Sequence, residues 1–435
     1  MNSASHPDRP VRVAIVGAGI GGLTLSAALG ALQEQQKSES NLKIDLYESA
    51  SIISEIGAGI TLWPRVWKIM QSIDLGESLV QFLPRPPDNS TRLVFQLRKA
   101  DQQEGEFIHD IMMEGGSTTF HRADLQQTLV SKLTGDLHLG HRFASYEEVD
   151  EEIRIHFENG ATATCDLLIG MDGIKSTVRK SLLIKQGLPN SPSMEPIWSG
   201  TIAYRGLVPR DELDKIFPGH RSITTPMMHV VAYPISRQFV NVAAFVTYPS
   251  KKGTPYDNSP MTADQIHQEL VSLYASFEKE VKVLLDCLTQ PLKWPINQVI
   301  PLESYVCRHA LIAGDAAHGL PPHQGSGAST AIEDAYILAI LLTSPSCTLP
   351  NLSKIASIYD SIRCPKGNRA LDTAIGCGQL LDLVFPGLED VNEGDGEVDK
   401  KLLETLGKKV SAEWSWVWKE SAEDDRGRAL DMLQK

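Results

Sequence analysis

The sequence predicts an α/β protein: a parallel-sheet lobe, a β-rich lobe inserted into it, and a set of C-terminal helices. Three observations predict this. Residues 11–17 read as a fully buried strand that runs through a glycine-rich turn into an Ala/Leu-rich helix, with a second strand at 43–48; that is the grammar of a parallel sheet. From 197 to 248 the alternation gives way to segments dominated by Thr, Val, Ile and aromatic residues, the composition of strands. Beyond residue 355 the pattern is helical. A chain of 435 residues suits two or three lobes, at roughly 100–200 residues each.

The elements follow in order. Residues 19–33 read as the first helix, and the polar segment 33–41 as a surface extension of the turn behind it. The run PRPPDN at 84–89 cannot continue a helix and marks a crossing between lobes. Strands are expected at 93–97 and 107–111, and an amphipathic helix at 122–133. Between 152 and 170 two strands flank Asn159-Gly160, a dipeptide suited to a tight hairpin turn. Residues 201–208 and 220–248 read as β-structure, 249–260 as a polar loop and 263–288 as helical. A short strand at 310–313 precedes a strong helix at 327–343. Helix at 355–384, an acidic loop at 389–397 and a final helix at 402–418 complete the pattern. The predicted division is a discontinuous first lobe (1–80, 108–186 and 296–370), an inserted lobe (81–107 and 187–295) and a helical region (371–435).

Composition narrows the function. The 41 Lys and Arg against 54 Asp and Glu give a net charge of −13, and no basic run stands out. Such a chain is poorly suited to nucleic acid or to an anionic membrane. Small-molecule partners are expected. Six Cys are scattered without a C-x-x-C pair, so no disulfide framework and no metal site is expected. The N-terminus lacks an apolar signal segment, and the apolar run at 331–342 is interrupted by Glu333 and Asp334. The expected address is the cytoplasm, and the expected state a monomer or homodimer.

Three segments carry chemistry. GAGIGG at 17–22 fits G-x-G-x-x-G between strand and helix, with Gly17 for the tight turn, Gly19 for close approach of a pyrophosphate and Gly22 for helix–strand packing. The helix N-terminus then favours phosphate charge. Glu48, ending the second strand, is placed to accept hydrogen bonds from an unphosphorylated ribose, as in FAD or NAD. The bland alternative is a glycine turn with no ligand. CDLLIGMDGIKSTVR at 165–179 ends a strand at Asp172-Gly173; Asp172 is either part of a site or a residue capping the next helix. In ALIAGDAAHGLPPHQGSGAST, from 310, a strand ends at Gly314-Asp315 and a proline-rich loop enters a long helix. That helix start suits an anionic ring edge such as reduced flavin, and Asp315 suits a sugar-chain hydroxyl.

GxGxxG, DG and GD motifs in this order resemble the class A flavoprotein monooxygenases, the aromatic hydroxylases with the para-hydroxybenzoate hydroxylase fold. The nearer match is the salicylate hydroxylase-like branch: GAGI at 57–60, HRADL at 121–125, DGIKS at 172–176, AYRGLV at 203–208, PHQGSG at 322–327 and WSWVW at 414–418. The resemblance spans about residues 11–418 and implies a Rossmann-like, GR2-type FAD domain. It implies that Gly17, Gly19, Gly22 and Glu48 hold the adenosine half of FAD, and that Arg122 contacts the diphosphate or ribityl region. Asp172 lies in a motif serving FAD and NAD(P)H. Asp315 would bind the ribityl chain, and Pro322, Gly325, Gly327 and Ala328 would border the flavin ring.

In the inserted lobe, His229, Val231 and Tyr233 alternate on one strand and share a face, with Arg205 on another strand. HVVAYPI is similar to the family strand that faces the flavin. Arg205, His229, Tyr233 and, beside the flavin loop, His323 are the candidate catalytic residues; the alternative is core or surface placement for each. Family members often carry Pro-Asn after the GAG turn, where this chain has Trp63-Pro64-Arg65. Trp63 and Arg65 are therefore candidates for altering flavin mobility or contacting a substrate carboxylate.

The resemblance implies a single-component enzyme that hydroxylates a phenolic aromatic acid with FAD, NADH or NADPH, and O2. Attack on the carboxylate-bearing carbon with loss of CO2 is the leading outcome, as for salicylate or 4-hydroxybenzoate. Ortho-hydroxylation and dearomatising hydroxylation of a polyketide-derived phenol are the alternatives. A non-catalytic FAD-fold binding protein is the alternative from another class. No W-x-W-x-I-P segment of a halogenase and no second G-x-G-x-x-G of a Baeyer–Villiger enzyme is present.

Overall fold

The computed structural model describes residues 9–36, 42–53, 59–149, 151–223, 230–235, 238–389, 391 and 398–435. A six-stranded sheet runs in the order Val306–Cys307, Ala310–Ile312, Leu167–Gly170, Val11–Val16, Leu42–Tyr47, Asp136–His138. All neighbours are parallel except the Val306–Cys307 edge. VRVAIV and LLIG are apolar at nearly every position, which requires cover on both sheet faces. The Ile20–Gln36 and Gly327–Leu342 helices supply part of that cover and pack on each other. From Val11–Val16 the sheet extends to Leu42–Tyr47 on one side and Leu167–Gly170 on the other. That reversal opens a crevice at the strands' carboxyl ends, where ligands of such sheets bind.

A three-stranded antiparallel sheet, Phe143–Val149, Glu152–Phe157 and Thr162–Cys165, lies beside this lobe. The predicted hairpin at Asn159-Gly160 is present, with Gly160 at φ +82°. The inserted β-structure is a four-stranded antiparallel sheet in the order Val230–Pro234, Phe239–Thr247, Ile197–Pro209, Leu292–Gln298. One face carries Tyr204, Val208, Val230, Ala232, Val240, Val242 and Ala244, all buried in a core with the Ala263–Leu273 and Lys279–Asp286 helices. By strand alternation the other face carries Arg205, Asn241, Phe245, Val231 and Tyr233.

Several element expectations change. The run 220–248 is not continuous β-structure: His220 is buried beside the Arg221–Ile223 turn, its Nε2 2.9 Å from the Glu280 carbonyl oxygen. The helical stretch 263–288 is two helices interrupted at 274–278. Leu292–Gln298, which has no counterpart among the expected elements, is a strand despite Pro295; it sits at the sheet edge, where a missing N–H is tolerated. The predicted final helix at 402–418 is Lys400–Trp414 plus a turn at Trp416–Lys419, and a further helix, Ala422–Gln434, follows. Residues 37–41, Gly57 and most of the acidic loop at 389–397 lie outside the described residues. Among the described residues no helix is long and apolar enough to cross a membrane.

Candidate active site

The three motifs meet at the carboxyl ends of three adjacent strands. Val16 aligns with Gly170, and Gly170 with Ile312. The Met171 N–H donates to the Val16 carbonyl at 2.7 Å, and the Ala313 N–H to the Gly170 carbonyl at 2.9 Å. Gly17 has φ +108°, and a Cβ there would lie 2.3 Å from the Met171 carbonyl oxygen. A Cβ on Gly22 would lie 1.9 Å from the Gly17 carbonyl oxygen, whereas one on Gly19 would meet nothing within 4 Å. The turn is thus closed where it packs and open where a ligand would approach. Glu48 accepts from the Ala18 N–H at 2.9 Å with one oxygen and from the Ala50 N–H at 2.8 Å with the other. The acceptor carboxylate therefore stands against the glycine turn.

Asp172 serves as a helix cap. It accepts from the Thr177 and Val178 N–H groups at 2.8 and 3.1 Å and from the Ser176 hydroxyl. Burial nevertheless raises its carboxyl above the ordinary carboxylate range. Sequence reasoning missed Arg179 in the same motif. It is fully buried and donates to the carbonyls of Ser193, Ala316 and Ile174 at 3.0, 2.8 and 2.8 Å, tying the DG segment to the Asp315–His318 turn.

Asp315 is exposed while Ala316, Ala317 and His318 beyond it are buried, and no side-chain partner engages it among the described residues. Pro322 and Gly325 are likewise exposed beside buried His323 and Gln324, with Gly327 and Ala328 half-buried. The Ser326 and Ser329 hydroxyls, at the start of the Gly327–Leu342 helix, are buried without a hydrogen-bond partner among the described residues. An open glycine turn, an unengaged carboxylate and a bare helix start fit FAD, which needs a phosphate cradle, a ribityl acceptor and donors at the ring edge.

The free face of the inserted sheet looks onto this crevice. Its Phe245 ring lies 5.5 Å from that of His323, and its Asn241 side chain accepts from the Gly59 N–H at 3.4 Å. A Cβ on Gly59 would lie 2.9 Å from the Tyr233 hydroxyl oxygen. Burial pushes the Tyr233 phenol up to about 12, against the lowering effect of Thr61 and Arg205. The Arg205 guanidinium lies over Trp294 at 5.2 Å. Burial and the Arg122 cation hold its pKa below the usual value. Arg122 itself occupies the first turn of the Arg122–Ser131 helix, where the dipole also repels a cation. The Arg122 cation, at a helix start, acts against Arg205, and Tyr233 acts in its favour. Such a spot suits an anion.

Other candidates are placed differently. His229 lies outside the described residues. His323 is 8% exposed, wedged between Phe245 and the Leu352–Leu381 helix, where a Cβ on Gly378 would lie 2.5 Å from its ring. The expectation that Arg65 contacts a substrate is corrected: its guanidinium is buried, bonded to Glu333 and stacked 5.0 Å from the Trp416 ring. Trp63 is also buried, and its indole N–H donates to the Gly325 carbonyl at 3.1 Å. Glu333 and Asp334, read only as interruptions of an apolar run, belong to a buried ionic cluster around Arg363. The Arg363 guanidinium reaches Asp334 at 2.7 Å, Glu333 at 3.2 Å and Asp425 at 3.3 Å. The second Asp334 oxygen accepts from the Gly314 N–H at 2.8 Å and stands 2.6 Å from His318 Nε2. The cluster therefore anchors the residue preceding Asp315. A charged pair in an otherwise apolar helix was the available signal for it, since buried charges need partners.

Comparison with known proteins agrees with this geometry. Residues 121–346 match a family described as an FAD binding domain. A salicylate hydroxylase of Pseudomonas putida is 30% identical, over 97% of this chain and 95% of its own. A 6-methylsalicylate 1-monooxygenase of Aspergillus terreus is 30% identical, over 84% of this chain and 81% of its own. Among solved structures, a salicylate hydroxylase substrate complex superposes with a TM-score of 0.81 at 26% identity, covering 97% of this chain and 98% of that one.

Proposed function

The chain belongs to the FAD-dependent aromatic monooxygenases of the salicylate hydroxylase branch, and on that premise we propose that it hydroxylates a phenolic aromatic acid at the carbon bearing the carboxylate, releasing CO2. The observation that carries the proposal is the face of the inserted sheet that presents Arg205 and Tyr233, with Arg122 at the start of its own helix acting on Arg205. The name of the Aspergillus relative, a 1-monooxygenase of a methylsalicylate, supports the position of attack, because ring carbon 1 of a salicylate bears the carboxylate.

FAD, reduced by NAD(P)H, supplies the oxygen-transfer chemistry when bound. The residues proposed to hold it are Gly17, Gly19, Gly22, Glu48 and Asp315, with the backbone of Pro322, Gly325, Gly327 and Ala328 along the ring. Asp172 acts through the turn it caps. The lobe division given above is part of the same proposal, with the inserted lobe holding substrate.

The remaining roles belong to the substrate face. Arg205 takes the carboxylate, and stacking on Trp294 fixes the plane of its guanidinium. Tyr233, a neutral phenol whose burial moves it further from ionisation, donates to the phenolic oxygen and stabilises it as ionisation proceeds. Val231 and Phe245 give the ring an apolar bed that excludes water. Losing the carboxylate requires that the cation not hold it too firmly, so a single Arg205 contact suits this outcome better than a paired clamp. His229 is proposed as a second contact to the phenol. The buried His323 is proposed to position Phe245 through their tilted ring contact.

Anaerobic flavin reduction by NAD(P)H across a panel of phenols tests the reading. 2-Hydroxy- and 4-hydroxybenzoates are expected to accelerate reduction, and the same phenols without the carboxylate to do so at least tenfold less, about one charged contact's worth. Equal acceleration by both sets contradicts the proposed role of the cationic face.

A further inference from the structure

We propose that Trp63 is a positioning residue for flavin chemistry: its indole N–H fixes the Gly325 carbonyl, and with it the conformation of the loop that borders the flavin ring. This rests on the reading that residues 322–328 line the ring.

Trp63 is 1% exposed and precedes the Pro64–Ser72 helix. Its indole donates to Gly325 at 3.1 Å. Gly325 is in the left-handed region, φ +57° and ψ +28°, so its carbonyl direction is set by a conformation other residues rarely hold. The loop makes one internal backbone bond there, from the Gly325 N–H to the Pro322 carbonyl at 3.0 Å. Side chains supply the rest of its anchorage. The Gln324 amide donates to the Glu413 carbonyl at 3.2 Å and accepts from the Thr373 hydroxyl at 3.1 Å.

Trp63 is itself held by Trp414, at 5.6 Å between ring centroids, and Trp414 by Phe95 at 5.2 Å. Two residues on, Arg65 bonds Glu333 within the helix that the loop enters, and stacks on Trp416. The W-P-R segment therefore holds the loop at Gly325 and the helix at Glu333, from a base formed by the C-terminal Trp residues.

Trp63→Phe keeps the ring and removes the donor. Hydrogen–deuterium exchange of the FAD-free protein is expected to rise roughly two- to tenfold at the amides of residues 323–329, the range for one neutral hydrogen bond. Exchange in the Lys400–Trp414 helix is expected to stay unchanged. In the FAD-loaded protein, the fraction of NAD(P)H converted to hydrogen peroxide rather than product rises, while KM for the aromatic substrate holds. Gln324→Leu loosens the same loop at its other side-chain anchor and is expected to give the same rise in exchange at residues 323–329. Unchanged loop exchange in both variants overturns the proposal. So does an increase spread through the C-terminal helices with a fallen thermal midpoint, which marks a packing role alone. Loop exchange that rises in a protein whose substrates show no carboxylate preference leaves the Trp63 inference standing and counts against the proposed substrate.

Discussion

Arg363→Met is expected to destabilise the protein by about 3–5 kcal/mol, the usual cost of removing one partner from a buried ion pair. The substitution keeps an unbranched side chain but removes the charge and the guanidinium donors to Asp334, Glu333, Asp425 and the Thr330 carbonyl. Asp334 and Glu333 lose a fully buried cation, and Asp425 keeps only Lys366 at 2.9 Å and the more distant Arg428. The Asp334 carboxyl, held below the ordinary range by His318 and Arg363, loses one of those two supports. Because that group also binds the Gly314 N–H, FAD retention is expected to fall along with the urea midpoint. Adding Asp334→Asn to Arg363→Met should cost less than the sum of the two single changes, since the second removes the charge left stranded by the first. Urea denaturation of the four proteins of this cycle checks it; strict additivity contradicts the coupling.

Arg205→Met is expected to lower kcat/KM for carboxylate-bearing phenols by about 30- to 1000-fold, corresponding to roughly 2–4 kcal/mol for a desolvated charged contact. Phenols without a carboxylate should change by less than about threefold, and FAD content should not change, because Arg205 lies on the inserted sheet and not on the crevice strands. Arg205→Lys should recover only part of the loss, since an ammonium lacks the planar stack on Trp294. Steady-state kinetics with paired substrates, together with peroxide release, provides the check. An equal loss on both substrate sets returns Arg205 to a packing role.

The parallel sheet was legible because its signals are local. Val11–Val16 is apolar at every position but Arg12, and Gly17 and Gly22 stand where contacts of 2.3 and 1.9 Å leave no room for a Cβ. The position of Asp315, just past a short buried strand, was legible in the same way. Less legible were residues whose meaning depends on distant partners. Glu333 and Asp334 interrupt an apolar run in sequence, and only folding brings Arg363, Arg65 and His318 to them. Arg65 looked available to substrate because its partner lies 268 residues away. Asn241 and Phe245 fall on the crevice face through cross-strand register with Tyr233, Leu207 and Ala203, which one sequence does not display. The break at 274–278 and the Ala422–Gln434 helix were missed because amphipathic patterns there run on or fade without a Gly or Pro at the boundary.

The most direct measurement follows the carboxyl carbon. The FAD-loaded enzyme is incubated with NAD(P)H, O2 and carboxyl-labelled 2-hydroxy- or 4-hydroxybenzoate, and both gas and ring products are collected. Attack at the carboxylate-bearing carbon breaks the ring–carboxylate bond and forms a ring–oxygen bond with one atom of O2. The other oxygen atom leaves as water, and the hydride donor supplies the two electrons. The account predicts labelled CO2 equal to the substrate consumed, with a dihydroxybenzene free of label. A dihydroxybenzoate that keeps the label, or turnover confined to phenols without a carboxylate, would contradict it.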